Sequence, residues 1–188
     1  MKWDEYLVKF EEVLDGKNVQ HPYDDPTYVY YVKLNSSRVN RWLKTGALNI
    51  ETTDILDKIN CHQKWILITE PWCGDAANIA PIIDLMAEYS DKIDFEIELR
   101  DGDTHLIDNY LTNGGKSIPI LVARDENNKD VFVWGPRPKE CQEMVLLNKD
   151  SEMSNIEKKS AIQIWYNQDK GQSIQREIRD LVLKSCQG

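Results

Sequence analysis

The feature that most constrains the fold of this chain is a short apolar run that leads directly into a cysteine-bearing turn. The run Trp65-Ile66-Leu67-Ile68 is followed by Thr69-Glu70-Pro71-Trp72-Cys73-Gly74-Asp75-Ala76. A short apolar run that ends at a turn is typical of a strand buried on both faces. Because the pattern after Gly74 is helical, the sequence predicts a strand, a tight turn and a helix, with Cys73 at the helix start.

The position of Cys73 favours a reactive thiol. The helix dipole and the unpaired backbone N–H groups at a helix N-terminus stabilise a thiolate, and Gly74 permits the tight entry into the helix. A second cysteine three positions on would complete a C-x-x-C redox pair, but that position holds Ala76. Any chemistry of Cys73 therefore proceeds without a second cysteine in the same motif.

The hydrophobic pattern elsewhere indicates an α/β core between two groups of helices. Strands are predicted at residues 64–69, 94–99, 118–123 and 131–134. Helices are predicted at residues 3–14, 27–44, 52–59, 74–89 and 103–111, after Pro138, and as a pair between residues 155 and 186. Strands that alternate with helices in this way place the chain in the α/β class.

Composition excludes several classes of function. The 32 acidic and 23 basic residues give a net charge of −9, which argues against binding to nucleic acid or to anionic lipid. Every apolar run is too short to span a membrane. The N-terminus lacks the basic start and apolar core of a secretory signal, so we expect a cytoplasmic protein.

The four cysteines Cys61, Cys73, Cys141 and Cys186 are scattered, with none spaced as a close pair. In a reducing compartment we expect four free thiols. Cys61 and His62 form the only Cys/His neighbour pair, and no further ligands stand at metal spacing. We therefore expect no metal and no bound cofactor. The sequence indicates no oligomeric state.

In order and spacing, residues 63–147 resemble the thioredoxin superfamily. Trp72-Cys73-Gly74 match the start of that family's Trp-Cys-Gly-Pro-Cys site, Pro81 matches its helix-kinking proline, and Ile118-Pro119 match its cis-proline loop. The polar hairpin at Asn127-Asn128, together with Gly135, matches its last two strands and the glycine after them. More specifically, the chain looks like bacterial thioredoxin-like proteins that carry a Trp-Cys-Gly-Asp site and a Gly-Pro-Arg-Pro segment.

The resemblance implies a thioredoxin-like α/β fold of three layers, with a mixed central sheet and additional N- and C-terminal helices. We expect residues 1–62 to be an N-terminal helical extension, residues 63–147 the thioredoxin-like domain, and residues 148–188 a C-terminal helical extension. The three parts are expected to form a single compact unit.

Three positions depart from the family pattern, and two of them, Ala76 and Leu67, concern one chemical step. Ala76 replaces the second, resolving cysteine, and Asp75 replaces the proline between the two cysteines. Leu67 stands six residues before Cys73, where the family carries the buried acid that accepts a proton during resolution. The nucleophile and the cis-proline, which serve attack and docking, are both present. The sequence thus predicts a site that has lost resolution only.

We expect Cys73 to be the catalytic residue, and Trp72, Ile118, Pro119 and Arg137 to bind the substrate. Ile118-Pro119 is a candidate cis bond, and the backbone before the proline is free to pair with an extended partner. Arg137 lies in Gly135-Pro136-Arg137-Pro138, at the edge that carries Cys73. There it offsets Asp75, stabilises a thiolate or holds a carboxylate, unless it is solvated in a rigid loop.

The surrounding residues also have simpler interpretations. Asp75 raises the pKa of Cys73 if its carboxylate lies near the sulfur, but the dipole of the first helical turn alone explains an acid at this position, and we prefer that interpretation. Trp72 packs against the helix or contacts partners. Cys141 is in phase with apolar neighbours of its helix and is expected to be a core thiol. Arg100 and Lys116 are weaker candidates for the same edge.

The resemblance implies thiol–disulfide exchange through a single cysteine, in cell redox homeostasis. Cys73 attacks a disulfide or sulfenic acid of a protein partner, and an external thiol such as glutathione or a partner cysteine resolves the product. Whether the protein is an enzyme stays open, because the same groove in a non-catalytic interaction module leaves Cys73 inert. Iron–sulfur assembly through Cys73 and glutathione is a third hypothesis, without further support in the sequence.

Overall fold

The computed structural model describes residues 1–186, which form an α/β fold. The elements in chain order are α1 (Trp3–Leu14), α2 (Pro26–Thr45), α3 (Ile50–Leu56), β1 (Gln63–Thr69), α4 (Ala76–Tyr89), β2 (Ile93–Leu99), a 3₁₀ turn (Leu106–Asn109), β3 (Ile120–Arg124), β4 (Asp130–Trp134), α5 (Lys139–Leu147), α6 (Asn155–Asp169) and α7 (Gln172–Ser185).

The sheet is mixed and has the strand order β2-β1-β3-β4. β1 runs parallel to β2 and antiparallel to β3, and β3 pairs with β4 as an antiparallel hairpin. The register places Thr69 beside Leu99, and Ile68 beside Ile120. The carboxyl ends of β1 and β2 therefore meet the beginning of β3 at one edge of the sheet, where the turn that carries Cys73 lies.

The central strand β1 is buried on both faces, as its apolar run predicts. Trp65 and Leu67 belong to the larger hydrophobic core, which α1, α2, α4 and α7 also build. The side chain of Ile68 points to the opposite face of the sheet, because successive side chains of a strand alternate. The helical extensions therefore complete the main core of the protein, and their burial is part of what stabilises it.

A smaller hydrophobic cluster, which we call the Cys73 cluster, lies on the opposite face of the sheet. Its buried members are Ile68, Cys73, Ala76, Ile107, Ile118, Ile120 and Val122, with Trp72, Leu106 and Tyr110 packed at its margin. Residues 106–110, between β2 and β3, cover this face where the helices cover the other. The thiol of Cys73 is thus part of an apolar cluster.

Two helix predictions differ from the structure. The helix predicted at residues 103–111 is only the 3₁₀ turn Leu106–Asn109, because His105 before it has a left-handed φ of 49° that an α-helix does not accommodate. The helix predicted at residues 52–59 spans Ile50–Leu56, since the Asn49 side chain accepts the N–H of Thr52 and caps it earlier.

The expectation of four free thiols is wrong for two of the cysteines. Cys61 and Cys186 form a disulfide with their Cα atoms 5.6 Å apart, whereas Cys73 and Cys141 are free and buried. The pair joins the residues before β1 to the end of α7. Because 125 residues separate the two cysteines, their spacing does not indicate the pairing.

Candidate active site

The side chain of Cys73 lies between the start of α4 and the loop before β3. The Ala76 N–H points at Sγ from 3.5 Å, and the thiol donates to the Ile118 carbonyl at 3.4 Å. This carbonyl belongs to the Ile118–Pro119 peptide bond, which is cis. The structure therefore brings together the cysteine and the proline loop that the sequence singles out.

Burial decides the protonation state of Cys73. Cys73 is only 6% exposed, and its burial, followed by the nearby Asp75 carboxylate, raises the pKa of the thiol to about 12. The N–H groups of Ala76 and Asp75 act in the opposite direction and are too weak to compensate. The thiolate that the helix terminus favours is therefore not the resting form in this conformation.

Asp75 connects three parts of the chain. Its carboxylate accepts two hydrogen bonds from Arg137, Nε to Oδ1 at 2.9 Å and Nη2 to Oδ2 at 2.7 Å, and one from the Tyr166 hydroxyl at 2.9 Å. The Asp75 side chain is 12% exposed, so these charge-assisted bonds operate away from bulk water. The acid is thus the centre of a network that joins the Cys73 turn to the Gly-Pro-Arg-Pro loop and to α6.

Arg137 reaches the expected edge, and its guanidinium group is engaged there. Besides Asp75 it donates to the Gln142 side chain at 3.0 Å. Of the interpretations open from the sequence, the structure shows the one in which Arg137 offsets Asp75. Cys141, in the same neighbourhood, is fully buried, and burial raises the pKa of its thiol to about 12.

Trp72 packs between two side chains. The Arg100 guanidinium lies 4.6 Å from the ring centroid, and the Tyr28 ring meets it edge-on at 5.5 Å. Tyr28 belongs to α2, so this helix contacts the Cys73 turn directly. Trp72 is half-buried, which leaves part of the ring for contact with a partner.

Sequence reasoning missed Glu70, a buried carboxyl group of the same turn. Its Oε1 accepts the Asp101 N–H at 3.0 Å, and only 4% of the residue is exposed. Burial raises the pKa of Glu70 to about 7, and the hydrogen bond from Asp101 lowers it in part. The position of a glutamate before a proline in a turn gives no indication of burial, so the sequence held no signal for this group.

Two polar residues of α2 also hold the Cys73 turn and were missed for the same reason. The side chain of Asn35 is fully buried, and its Nδ2 donates to the Pro71 carbonyl at 2.9 Å. Its Oδ1 accepts from Arg38 Nη1 at 2.7 Å. Arg38 in turn lies against Gly74, where a Cβ would come 3.2 Å from Nη1. The glycine therefore also serves this close approach.

Within residues 1–186, no group of three or more His, Cys, Asp or Glu side chains is arranged to hold a metal ion.

In the same part of the chain, none of the helices has both the length and the apolar character that crossing a membrane requires.

The comparisons with known proteins agree with the fold. The sequence profile of a family described as thioredoxin matches residues 23–157, which include α2, the Cys73 turn and the proline loop. This match covers more than half of the chain. The protein therefore belongs to the thioredoxin family. A search of curated proteins finds no match to the chain.

Two solved structures share the fold over almost the whole chain. A protein of unknown function from Pseudomonas aeruginosa, PA1234, has a TM-score of 0.58 at 15% identity, over 93% of this chain and 97% of its own. An HIV epitope scaffold of the 4E10 series has a TM-score of 0.57 at 14% identity, over 97% of this chain and 98% of its own. At these identities the likeness shows the fold alone. It extends through both helical extensions.

Proposed function

We propose that this protein carries out thiol–disulfide exchange through Cys73 as a single nucleophile. The observation that carries the proposal is the contact of the Cys73 thiol with the Ile118 carbonyl, directly before the cis-proline. An extended partner that pairs with this stretch of backbone competes with the thiol for the carbonyl. Docking of the partner therefore uncovers the sulfur at the place where the partner's disulfide arrives.

The exchange needs two steps and no bound cofactor. The Cys73 thiol first gives up its proton to solvent, and the thiolate attacks one sulfur of the partner disulfide. The partner S–S bond breaks as the new S–S bond forms, and the second partner sulfur leaves as a thiolate that takes up a proton. An external thiol, such as glutathione or a partner cysteine, then attacks the mixed disulfide and releases Cys73. Cys141 is a poor internal substitute, because its thiol is fully buried and engaged in the core.

The site residues take distinct roles in this proposal. Cys73 is the nucleophile, and Ile118, Pro119 and the exposed part of Trp72 contact the partner. Arg137 holds Asp75 and thereby fixes the turn, while direct contact of its guanidinium with substrate requires that this ion pair opens. The expected cytoplasmic location stays a prediction, and the Cys61–Cys186 disulfide favours an oxidising compartment instead.

A second candidate function is a non-catalytic interaction module, which the burial of Cys73 favours. In that case the partner docks at the proline loop and the thiol remains a core side chain. The two candidates differ in what they require of the sulfur, because only exchange depends on it.

The test is turnover of a glutathionylated peptide by excess glutathione, with the wild type and C73S compared. Exchange predicts that C73S reduces the rate to the uncatalysed background, whereas the matched variant C141S, which removes the other free thiol, retains catalysis. Equal rates for the wild type and C73S, together with unchanged partner binding, would establish the interaction module.

A further inference from the structure

Two arginines near the Cys73 turn have no acidic partner. Of the seven arginines in the sequence, five form ion pairs, namely Arg100, Arg124, Arg137, Arg176 and Arg179. Arg38 and Arg41 form none within the described part of the chain. In a protein with a net charge of −9, carboxylates are abundant. The lack of an ion pair at two neighbouring arginines is therefore a feature of this surface that requires an explanation.

The helix that carries both arginines has a charge pattern unlike that of the chain as a whole. α2 contains Lys33, Arg38, Arg41 and Lys44 and has no acidic residue from Pro26 to Thr45. The two arginines are half-buried and the two lysines are exposed. Burial of a guanidinium without a counter-ion is unfavourable, which the lowered pKa of Arg38, caused by burial and then by Arg41, reflects.

Arg38 lies against Gly74, the residue directly after Cys73, and Arg41 is linked to the same residue through Asn78. Arg38 Nη1 comes within 3.2 Å of the place where a Gly74 Cβ would stand. Arg41 Nη2 donates to Asn78 Oδ1 at 3.2 Å, and Asn78 Nδ2 donates to the Gly74 carbonyl at 2.9 Å. Asn35, Asn78 and Asn167 thus hold the arginines through neutral amide oxygens, so their positive charges remain uncompensated.

The nearest acid is already engaged. Asp75 accepts both of its ion-pair hydrogen bonds from Arg137 and a third from Tyr166. Asp75 still attracts Arg38 electrostatically, but this effect is weaker than the burial and the repulsion from Arg41 that lower the Arg38 pKa. No hydrogen bond joins the two side chains among the described residues. The guanidinium groups are therefore free to take an external anion.

We propose that Arg38 and Arg41 form a binding site for a carboxylate of the small thiol that resolves the mixed disulfide on Cys73. The role of this thiol in resolving a mixed disulfide rests on the proposed function above, whereas the binding of a carboxylate by the two arginines does not. A planar carboxylate matches the two-pronged donor geometry of a guanidinium group. Gly74 follows Cys73 directly, so their Cα atoms are about 3.8 Å apart. An extended tripeptide is about 10 Å long, so a small acidic thiol has the length to reach from the arginine beside Gly74 to the sulfur of Cys73.

The site assigns a role to the N-terminal extension. α2 supplies the charge that selects an anionic thiol, and the thioredoxin-like core supplies the sulfur. This division explains why Arg137, the arginine that the motif suggests, is free to hold Asp75. Because Ala76 stands where an internal resolving cysteine would lie, the resolving thiol has to come from solution and has to be selected there.

Anion binding is tested first without thiol chemistry. C73S is titrated with S-methylglutathione, which keeps both carboxylates and has no free thiol, and binding is followed by calorimetry and by the Gly74 amide signal. The R38Q/R41Q substitutions in the C73S background are expected to weaken binding at least tenfold, because two charge-assisted contacts are lost. The control K33Q/K44Q removes the same charge from exposed positions of α2 and is expected to bind as C73S does.

A second variant guards against loss of the fold. R38Q alone removes a side chain whose described hydrogen bond goes only to Asn35, and is expected to weaken binding at least threefold. No measurable binding to C73S, or equal binding by C73S and its R38Q and R38Q/R41Q derivatives, would overturn the proposal.

Reaction with two disulfide probes separates this inference from the proposed function. R38Q/R41Q is expected to slow the reaction of Cys73 with anionic 5,5′-dithiobis(2-nitrobenzoate) at least tenfold relative to its reaction with neutral 4,4′-dithiodipyridine, because the neutral probe reports only the change in exposure of the turn that Arg38 helps to hold. Equal slowing with both probes contradicts the anion site. A Cys73 that reacts with neither probe contradicts the proposed function, whereas the titration of C73S still decides whether the anion binds.

Discussion

Glu70 and Cys73 are two titratable side chains of one turn, and burial disfavours the charged form of both. The carboxyl group stands three residues before the thiol, and the backbone connects them, since the Cys73 N–H donates to the Glu70 carbonyl at 3.0 Å. The turn is therefore built to pack neutral groups. Its reactivity and its stability both depend on pH as a result.

Removal of the ionisable group at position 70 should flatten the pH dependence of stability. The pKa of Glu70 is raised by burial to about 7 in the fold, so its contribution to stability is complete below about pH 4.5 and is lost as pH rises through 7. We expect the wild type to lose on the order of 3 kcal/mol more than E70Q between pH 5 and pH 8. Urea unfolding at both pH values measures this.

The control for that comparison is E126Q, at an exposed position of the β3–β4 hairpin, which should behave as the wild type. Some pH dependence is expected to remain in E70Q, because burial also raises the pKa of Asp84 to about 7. Identical pH profiles for the wild type and E70Q would show that Glu70 is not desolvated in the folded protein.

Of the elements outside residues 63–147, α2 contributes most to the site. It supplies Asn35 and Arg38 to the Cys73 turn and Tyr28 to the Trp72 ring. α6 adds Tyr166 from the other extension. Residues 63–147 therefore do not determine the geometry of the site alone. Side chains of α2 and α6 hold the turn in the conformation that buries the Cys73 thiol.

Truncation of Asn35 tests this role of α2. N35A leaves the Pro71 carbonyl without its donor and Arg38 without its acceptor, so we expect a loss of about 1–3 kcal/mol in the free energy of unfolding. Alkylation of Cys73 in the native protein should become faster, because the turn opens more readily. N40A, at an exposed position of the same helix, is the control and should change neither quantity. A stable N35A with an unchanged alkylation rate would mean that α2 does not hold the turn.

For the molecule as a whole, the Cys61–Cys186 disulfide links the segment before β1 to the end of the last helix. Beside it, the buried Gln63 side chain donates to Ser185 at 2.7 Å and accepts from Trp65 at 2.9 Å. The cross-link therefore fastens α7, which closes the main core, to the start of the central strand.

Reduction of this disulfide should destabilise the protein by about 2–4 kcal/mol, because the unfolded chain gains conformational freedom. Urea unfolding of the oxidised protein with and without dithiothreitol measures the difference. The C61S/C186S double variant should show the stability of the reduced wild type and no response to dithiothreitol. A wild type that does not respond to the reductant would show that the cross-link contributes nothing to stability.

The sequence predicted those parts of the structure that depend on local pattern. The apolar run of β1, the position of Cys73 at the start of α4 and the proline loop before β3 all follow from residues close together in the chain. Tyr166 and Cys186 meet their partners over 91 and 125 residues. Such contacts leave no periodicity or motif. The burial that contributes most to the high pKa of Cys73 was missed for a related reason, since residues 106–110 reach the Cys73 cluster only in the folded sheet.

The central claim is that the Cys73 thiol is buried and protonated before a partner docks. We would test it by measuring the rate of Cys73 alkylation as a function of pH on the native C141S protein. Burial raises the pKa of Cys73 to about 12, so we predict a slow rate that increases with pH through at least pH 10 without reaching a plateau. A plateau at or below neutral pH would contradict the account, because it would show a thiolate that is stabilised and exposed before any partner docks.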